Sequence, residues 1–262
     1  MSLKSSRNLR IGLVLHGQAR FATQCVSRQI RKIPNVDIFF HTWKNDSKTN
    51  MSPWIIVEDL HIDSCEKLVS NMRPINYELL DFPQKITDMG TLNQKDQTIK
   101  FNLYKKMFSL YRADQLRQKY EIENNFLYDY VICSRFDYFP LGKMLTKVAE
   151  NHIALPDLRK FPYKNCDLFF VGKSKTVSKI TSLYKELNEI YEFKNFLSGE
   201  ELLQIYALKK DILLFDFKTS GILMRENKIK TLNFGKIHFT DNPFFWFKLK
   251  IQQLTKFRFL SA

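Results

Sequence analysis

Arg135 and Asp137 close a short apolar run, YDYVICSRFDYF at residues 128–139, and their spacing is the first in the chain that could do chemistry. Residues two apart on a strand project to the same side, so a cation and a carboxylate are presented together at the strand's end. A guanidinium beside a carboxylate suits a ligand carrying phosphates, hydroxyls or a bridging metal ion. The plainer reading of the pair is a solvated ion pair of little energetic weight. Three other places gather polar groups behind apolar residues: His16, Gly17, Gln18 and Arg20; His41 and Trp43; and Asp167 with the turn Ser198, Gly199, Glu200, Glu201. The two histidines would bind a ligand or serve as hydrogen-bonded structural groups. Trp43 would stack a base or sugar, or fill the core. Asp167 would cap or pair locally, and Glu200 and Glu201 would act as bases or as favourable charges at a helix N-terminus.

Such groups need strands behind them, and the chain supplies these in alternation with helices. Residues 11–15 form a continuous apolar run typical of a strand covered on both faces, followed by a glycine turn. Residues 23–32 carry Val26 and Ile30 at helical spacing, and 36–43 read as a second strand, which completes a β-α-β unit. Residues 53–60 and 76–82 are weaker strands, and the polar span 83–98, broken by Gly90, reads as a long loop and a candidate lid. A helix over 101–120, with Tyr104, Met107, Phe108, Tyr111 and Leu116 near one stripe, would pack on the sheet as core. Beyond it lie the strand at 130–133, a helical turn over 143–150, strands at 153–156 and 166–172, an amphipathic helix over 173–193 and another helix from 200 to 208. The order predicts an open, mostly parallel α/β sheet flanked by helices. If the strands are parallel, the polar groups at 16–20, 41–43 and 135–137 converge on one edge.

The 262 residues and their 44% hydrophobic content suit one α/β domain, residues 1–241, with a basic aromatic C-terminal segment, 242–262. Lys and Arg outnumber Asp and Glu by 41 to 27, and the net charge of +14 favours polyanions, anionic lipid or phosphorylated substrates as partners. Cys25, Cys65, Cys133 and Cys166 are too far apart for a zinc site or a disulfide framework, which points to a reducing compartment, the cytoplasm. No run of eighteen apolar residues occurs, and residues 1–10 lack the apolar stretch of a signal peptide. After Asp241 the tail has no acid and mixes Phe and Trp with Lys and Arg, so it would lie at an anionic membrane surface or dock on the domain as a helix.

In order, LVLHGQAR at 13–20, DIFFHTW at 37–43, YDYVICSRFDYF at 128–139, CDLFFVG at 166–172 and SGEELL at 198–203 resemble a family of bacterial glycosyltransferase-like proteins from capsule, polysaccharide and lipopolysaccharide gene clusters. Those proteins typically read Ser-Gly-Gln-x-Arg, then Asp-Ile-Phe-x-His-x-Trp, then Arg-x-Asp. The resemblance covers roughly residues 9–225. It implies a GT-A-like, Rossmann-like α/β domain, a nucleotide-sugar donor and a glycan or lipid-linked glycan acceptor. His16 stands where the family usually has a small residue, and the Asp-x-Asp signature of metal-dependent members is absent.

Glycosyl transfer requires stabilisation of a departing nucleoside diphosphate and a base for the acceptor hydroxyl. On that implication His16, Gly17, Gln18, Arg20 and Arg135 bind the donor. Asp137 binds the donor or a Mg2+ or Mn2+ ion, and Glu200 or Glu201 acts as base. The rival classes are a nucleic-acid-binding protein and an inactive nucleotide-sugar-binding scaffold. Against the former, the basic residues are scattered and no RNP-like or helix-turn-helix pattern occurs, so nucleic acid is not the expected partner. The leading reading is a cytoplasmic glycosyltransferase peripheral on the inner face of the membrane.

Overall fold

The computed structural model describes residues 9–19, 22–31, 33, 35–44, 63–81, 94–140, 147–156, 168–193, 198–217, 221–225, 228–233 and 236–240. In chain order the strands are β1 (Ile11–His16), β2 (Val36–Trp43), β3 (Asn76–Leu80), β4 (Tyr130–Arg135), β5 (Tyr138–Pro140), β6 (His152–Pro156), β7 (Phe169–Gly172), β8 (Leu213–Phe217), β9 (Gly221–Arg225), β10 (Lys228–Asn233) and β11 (Lys236–Thr240). The helices are α1 (Ala22–Ile30), α2 (Cys65–Met72), α3 (Gln94–Glu123), α4 (Ser174–Thr181), α5 (Leu187–Phe193) and α6 (Gly199–Lys209), with a 3-10 turn, Ser182–Glu186, between α4 and α5.

Seven strands form one sheet in the order β3-β2-β1-β4-β7-β6-β8. β7 alone among them runs against its neighbours β4 and β6; the other pairings are parallel. The expected open, mostly parallel α/β sheet is therefore what forms. Strand alternation divides its core in two. Val14, Phe39, Val131 and Cys133 face α3, α4 and α6, whereas Leu13, Leu15, Ile38, Phe40 and Ile132 face α1 and α2. Every residue of β1 is buried because both of its faces are covered.

The helix α3 returns from β3 to the parallel β4, so it runs against the strands and its N-terminal end lies at their carboxyl ends. Gly12 allows α3 to settle on β1, since a β-carbon there would stand 3.2 Å from Tyr128 and 3.3 Å from the Arg117 side chain. Arg117 is fully buried. Its Nε donates to Asp114 at 2.6 Å, Nη1 to Glu121 and Ser174 at 2.6 Å each, and Nη2 to Ser178 at 2.7 Å. Thr181 adds a bond to Asp114 and the Tyr128 amide one to Glu121, so a single charged network ties α3 to α4 and to the segment entering β4.

Several elements differ from the sequence expectations. The expected helix at 101–120 begins at Gln94, inside the span read as a loop. Its buried positions include Leu103, Met107, Leu110 and Ala113, while Tyr104, Phe108 and Tyr111 lie half-buried beside Tyr184. Residues 147–150 are not helical. The helix over 173–193 is broken by its 3-10 turn, and α2, capped by Ser64, was not expected. Strands β9, β10 and β11 join β5 in a second, antiparallel sheet that the sequence reading also missed. The expected strand at 53–60, most of the candidate lid, Cys166 and the tail 242–262 lie outside the described residues. Among the described residues Cys25, Cys65 and Cys133 form no disulfide, and no helix is long and apolar enough to cross a membrane.

Candidate functional site

β1, β2 and β4 end level with one another. In register, His16 lies opposite His41 on one side and Arg135 on the other. All three alternate with residues of the core under α3, so they face that helix as a row across three adjacent strands. Ser109 of α3 meets the row. The Gly17 amide donates to Ser109 Oγ at 2.7 Å, His41 Nδ1 lies 2.8 Å from the same oxygen, and the hydroxyl reaches the His41 carbonyl at 3.1 Å. Gly17 has a φ of 93°, a left-handed conformation that glycine tolerates, and open space lies where a β-carbon would project.

His16 is 1% exposed, and among the described residues neither ring nitrogen has a hydrogen-bond partner. Burial first, then the positive field of Lys106, Arg135 and His41, holds its pKa well below the usual histidine range. Burial likewise draws His41 down to about 4, against the pull of Glu78 and with the push of Arg112. Both imidazoles are therefore neutral at pH 7. Glu78 lies 3.9 Å from His41 Nε2, too far for a hydrogen bond, and its carboxylate is held by the Nε and Nη2 of Arg112.

Arg135 is one-fifth exposed, whereas Asp137 is buried. Nε donates to Asp137 Oδ1 at 2.9 Å and Nη2 to Oδ2, a bidentate pair that fixes the plane of the guanidinium. β5 follows at once and pairs with β9, so the turn holding Asp137 is anchored in the second sheet. Beneath it, Gln29 of α1 donates to Ser134 and to the Tyr138 carbonyl. A divalent cation at Asp137 fits these residues poorly. Such an ion needs several oxygen ligands, yet both Asp137 oxygens already accept from a cation, and among the described residues no three acidic, His or Cys side chains cluster.

The other candidates fall as follows. Gln18 is half-buried beside Gly17. Trp43 takes the core role, edge-on to His41 at 4.7 Å and stacked on Phe108 at 5.6 Å. Glu201 belongs to a capping box: its amide donates to Ser198 Oγ at 3.1 Å and its carboxylate accepts from the Ser198 amide at 3.0 Å. Glu200 sits half-buried in the same first turn. This turn lies at the same end of the sheet as the histidine row, because α6 runs back into the parallel β8, but β8 is three strands beyond β4. At about 4.8 Å per strand, that is roughly 14 Å to the side. Arg20 and Asp167 lie outside the described residues.

Sequence reasoning missed Ser109 and Lys106. The available signal was a small polar residue, Ser109, between the apolar Met107 and Leu110 in the buried stripe of the helix. It also missed Asp63, which accepts from the Thr23 amide at 2.8 Å and so caps α1 beside the site. An open cavity of about 750 Å³ lies at the opposite end of the sheet, between Gln118, Ile122 and Phe126 of α3 and its exit and Ser174 and Lys175 of α4. It is remote from the histidine row, and its Glu121 is committed to Arg117.

No family model and no curated protein matches the chain. Among solved structures it is similar to the apo form of the glycosyltransferase GlyE of Streptococcus pneumoniae TIGR4, with 11% identity and a TM-score of 0.39 over 79% of this chain and 45% of that one. A second structure of GlyE from the same organism matches with the same identity and TM-score over 80% of this chain and 45% of that one. The chain thus spans less than half the length of these solved proteins.

Proposed function

We propose that the chain is a glycosyltransferase that moves a sugar from a nucleotide-sugar donor to a surface-polysaccharide or lipid-linked glycan. The observation that carries this reading is the row of His16, His41 and Arg135 with its Asp137 brace. Three motifs far apart in sequence, each part of the ordered set that resembles such enzymes, meet on one face at the carboxyl edge of a parallel sheet. Open α/β sheets bind their ligands at such an edge.

In the reaction, the bond between the anomeric carbon and the diphosphate breaks and its electron pair leaves with the nucleoside diphosphate. The acceptor oxygen forms the new bond, and its proton passes to a base. Arg135, held flat by Asp137, offers a fork suited to a phosphate oxygen, and the Gly17 turn leaves room for the phosphates to approach the backbone. Asp137 then acts through Arg135 rather than as a cation ligand. Glu200 or Glu201 would act as the base, and Glu201 would have to release its cap to do so. The tail 242–262 would hold the enzyme on the inner face of an anionic membrane, where a lipid-linked acceptor lies.

A thermal-shift series with UDP-, GDP-, CMP- and dTDP-sugars, with and without Mn2+, tests the proposal, since a ligand that binds only the native state raises its apparent stability. One donor class should raise the melting temperature. No response to any donor, together with salt-sensitive binding of DNA, would replace this reading with the nucleic-acid one.

A further inference from the structure

We propose that Lys106 is a further donor-site residue: with Arg135 it flanks His16, and the three form a seat for the diphosphate that leaves in the reaction. The inference rests on the glycosyltransferase reading and adds to it a helix that the sequence motifs do not include.

The placement follows from α3. Ser109 is bonded to the Gly17 amide and to His41, which puts it level with the strand ends. Lys106 is one turn earlier on the same helix face, and the helix runs outward in that direction, so Lys106 stands just past the end of β1. The neighbouring Lys105 lies over the Phe101 ring at 4.2 Å. On the other flank Arg135 is His16's direct register partner and is fixed in orientation by Asp137. At the Gly17 turn between them, a β-carbon would meet no described atom within 4 Å.

His16 is the second, independent pointer. A buried imidazole normally has at least one nitrogen satisfied, yet both nitrogens of His16 lack partners among the described residues at 1% exposure. Among the described residues, the titratable groups acting on it are Lys106 from α3, Arg135 from β4 and His41 from β2, and the field of the first two favours an anion there. A neutral imidazole keeps one N–H, and a phosphate oxygen placed between the two cations would accept it. A diphosphate answers all three groups at once: two cations separated by a neutral donor match two linked phosphate groups.

The test is calorimetric titration of the full chain with inorganic pyrophosphate and with UDP, GDP and dTDP, comparing wild type with Lys106→Gln, Arg135→Ala and, as a control on the same helix, Lys119→Gln. Lys106→Gln should weaken pyrophosphate binding about tenfold or more, a loss expected for one charge-assisted contact, and Lys119→Gln should not change it. Imidazole 15N spectra of the wild type, with His16 assigned through a His16→Gln variant, should show His16 responding to pyrophosphate. If Lys106→Gln binds like wild type while Arg135→Ala is weakened, the Lys106 seat is wrong and the donor site stands. If wild type binds neither pyrophosphate nor any nucleoside diphosphate, both fail.

Discussion

Replacing Arg117 with alanine would leave two buried carboxylates facing each other without their cation. Asp114 and Arg117 are fully buried and Glu121 is nearly so. The guanidinium makes bonds of 2.6–2.7 Å to Asp114, Glu121, Ser174 and Ser178. Breaking a buried pair by removing one partner costs about 3–5 kcal/mol. Asp114 would keep donors from Gln118 and Thr181, and Glu121 the Tyr128 amide and Ser174, which favours the lower end. Domains of this kind have a total stability of about 5–15 kcal/mol, so about a fifth or more is at stake. With a urea slope of about 3 kcal/mol per M, the midpoint should fall by about 1 M in equilibrium unfolding followed by circular dichroism. Arg117→Met combined with Asp114→Asn and Glu121→Gln should recover much of the loss, because no bare charge remains. A fall below about 0.3 M for the alanine variant would show that the charge network adds little, and a combined variant no better than the single one would show that packing over Gly12, rather than charge, carries the loss.

Acid should destabilise the fold through His41. Its folded pKa of about 4 lies below the unfolded value, so its contribution is complete above pH 6.5, is lost as pH falls from about 6.5 to about 4, and changes little below that. The loss is roughly 3 kcal/mol, with His16 acting in the same direction; urea midpoints between pH 4 and 7.5 measure it, and a His41→Gln variant with an equal decline would refute it. Asp137→Asn should keep the fold but lower transfer roughly a hundredfold, because the Arg135 fork loses its bidentate brace; near-normal turnover in a folded variant would rule out that role. Truncation after Asp241 should reduce co-sedimentation with anionic liposomes at low salt and have little effect at high salt; equal partitioning of two folded proteins would remove the membrane role.

The row at the sheet edge was legible because strand alternation and short apolar runs place side chains independently of the rest of the fold. His16, His41 and Arg135 each follow an apolar run, and parallel pairing then brings their ends level. The SGEE start of α6 was equally plain, although its capping-box use of Glu201 competes with chemistry there. Direction was not legible for β7, since four apolar residues look alike read either way along a sheet. α2 is a short helix whose main local signal is the Ser64 cap. Ser109 and Lys106 were hidden for a different reason. A thirty-residue helix has many polar positions, and which of them lies level with the strand ends depends on how α3 sits on the sheet, a tertiary choice set partly by Gly12 and Arg117.

The central claim, donor binding and sugar release at the histidine row, is tested most directly by nucleotide-sugar hydrolysis without an acceptor, followed by release of the nucleoside phosphate. The wild type should slowly turn over one of the UDP-, GDP-, CMP- or dTDP-sugars, and Arg135→Ala, folded to the same extent, should lose that activity. Turnover unchanged in Arg135→Ala, or no turnover and no binding of any donor by the wild type, would contradict the account.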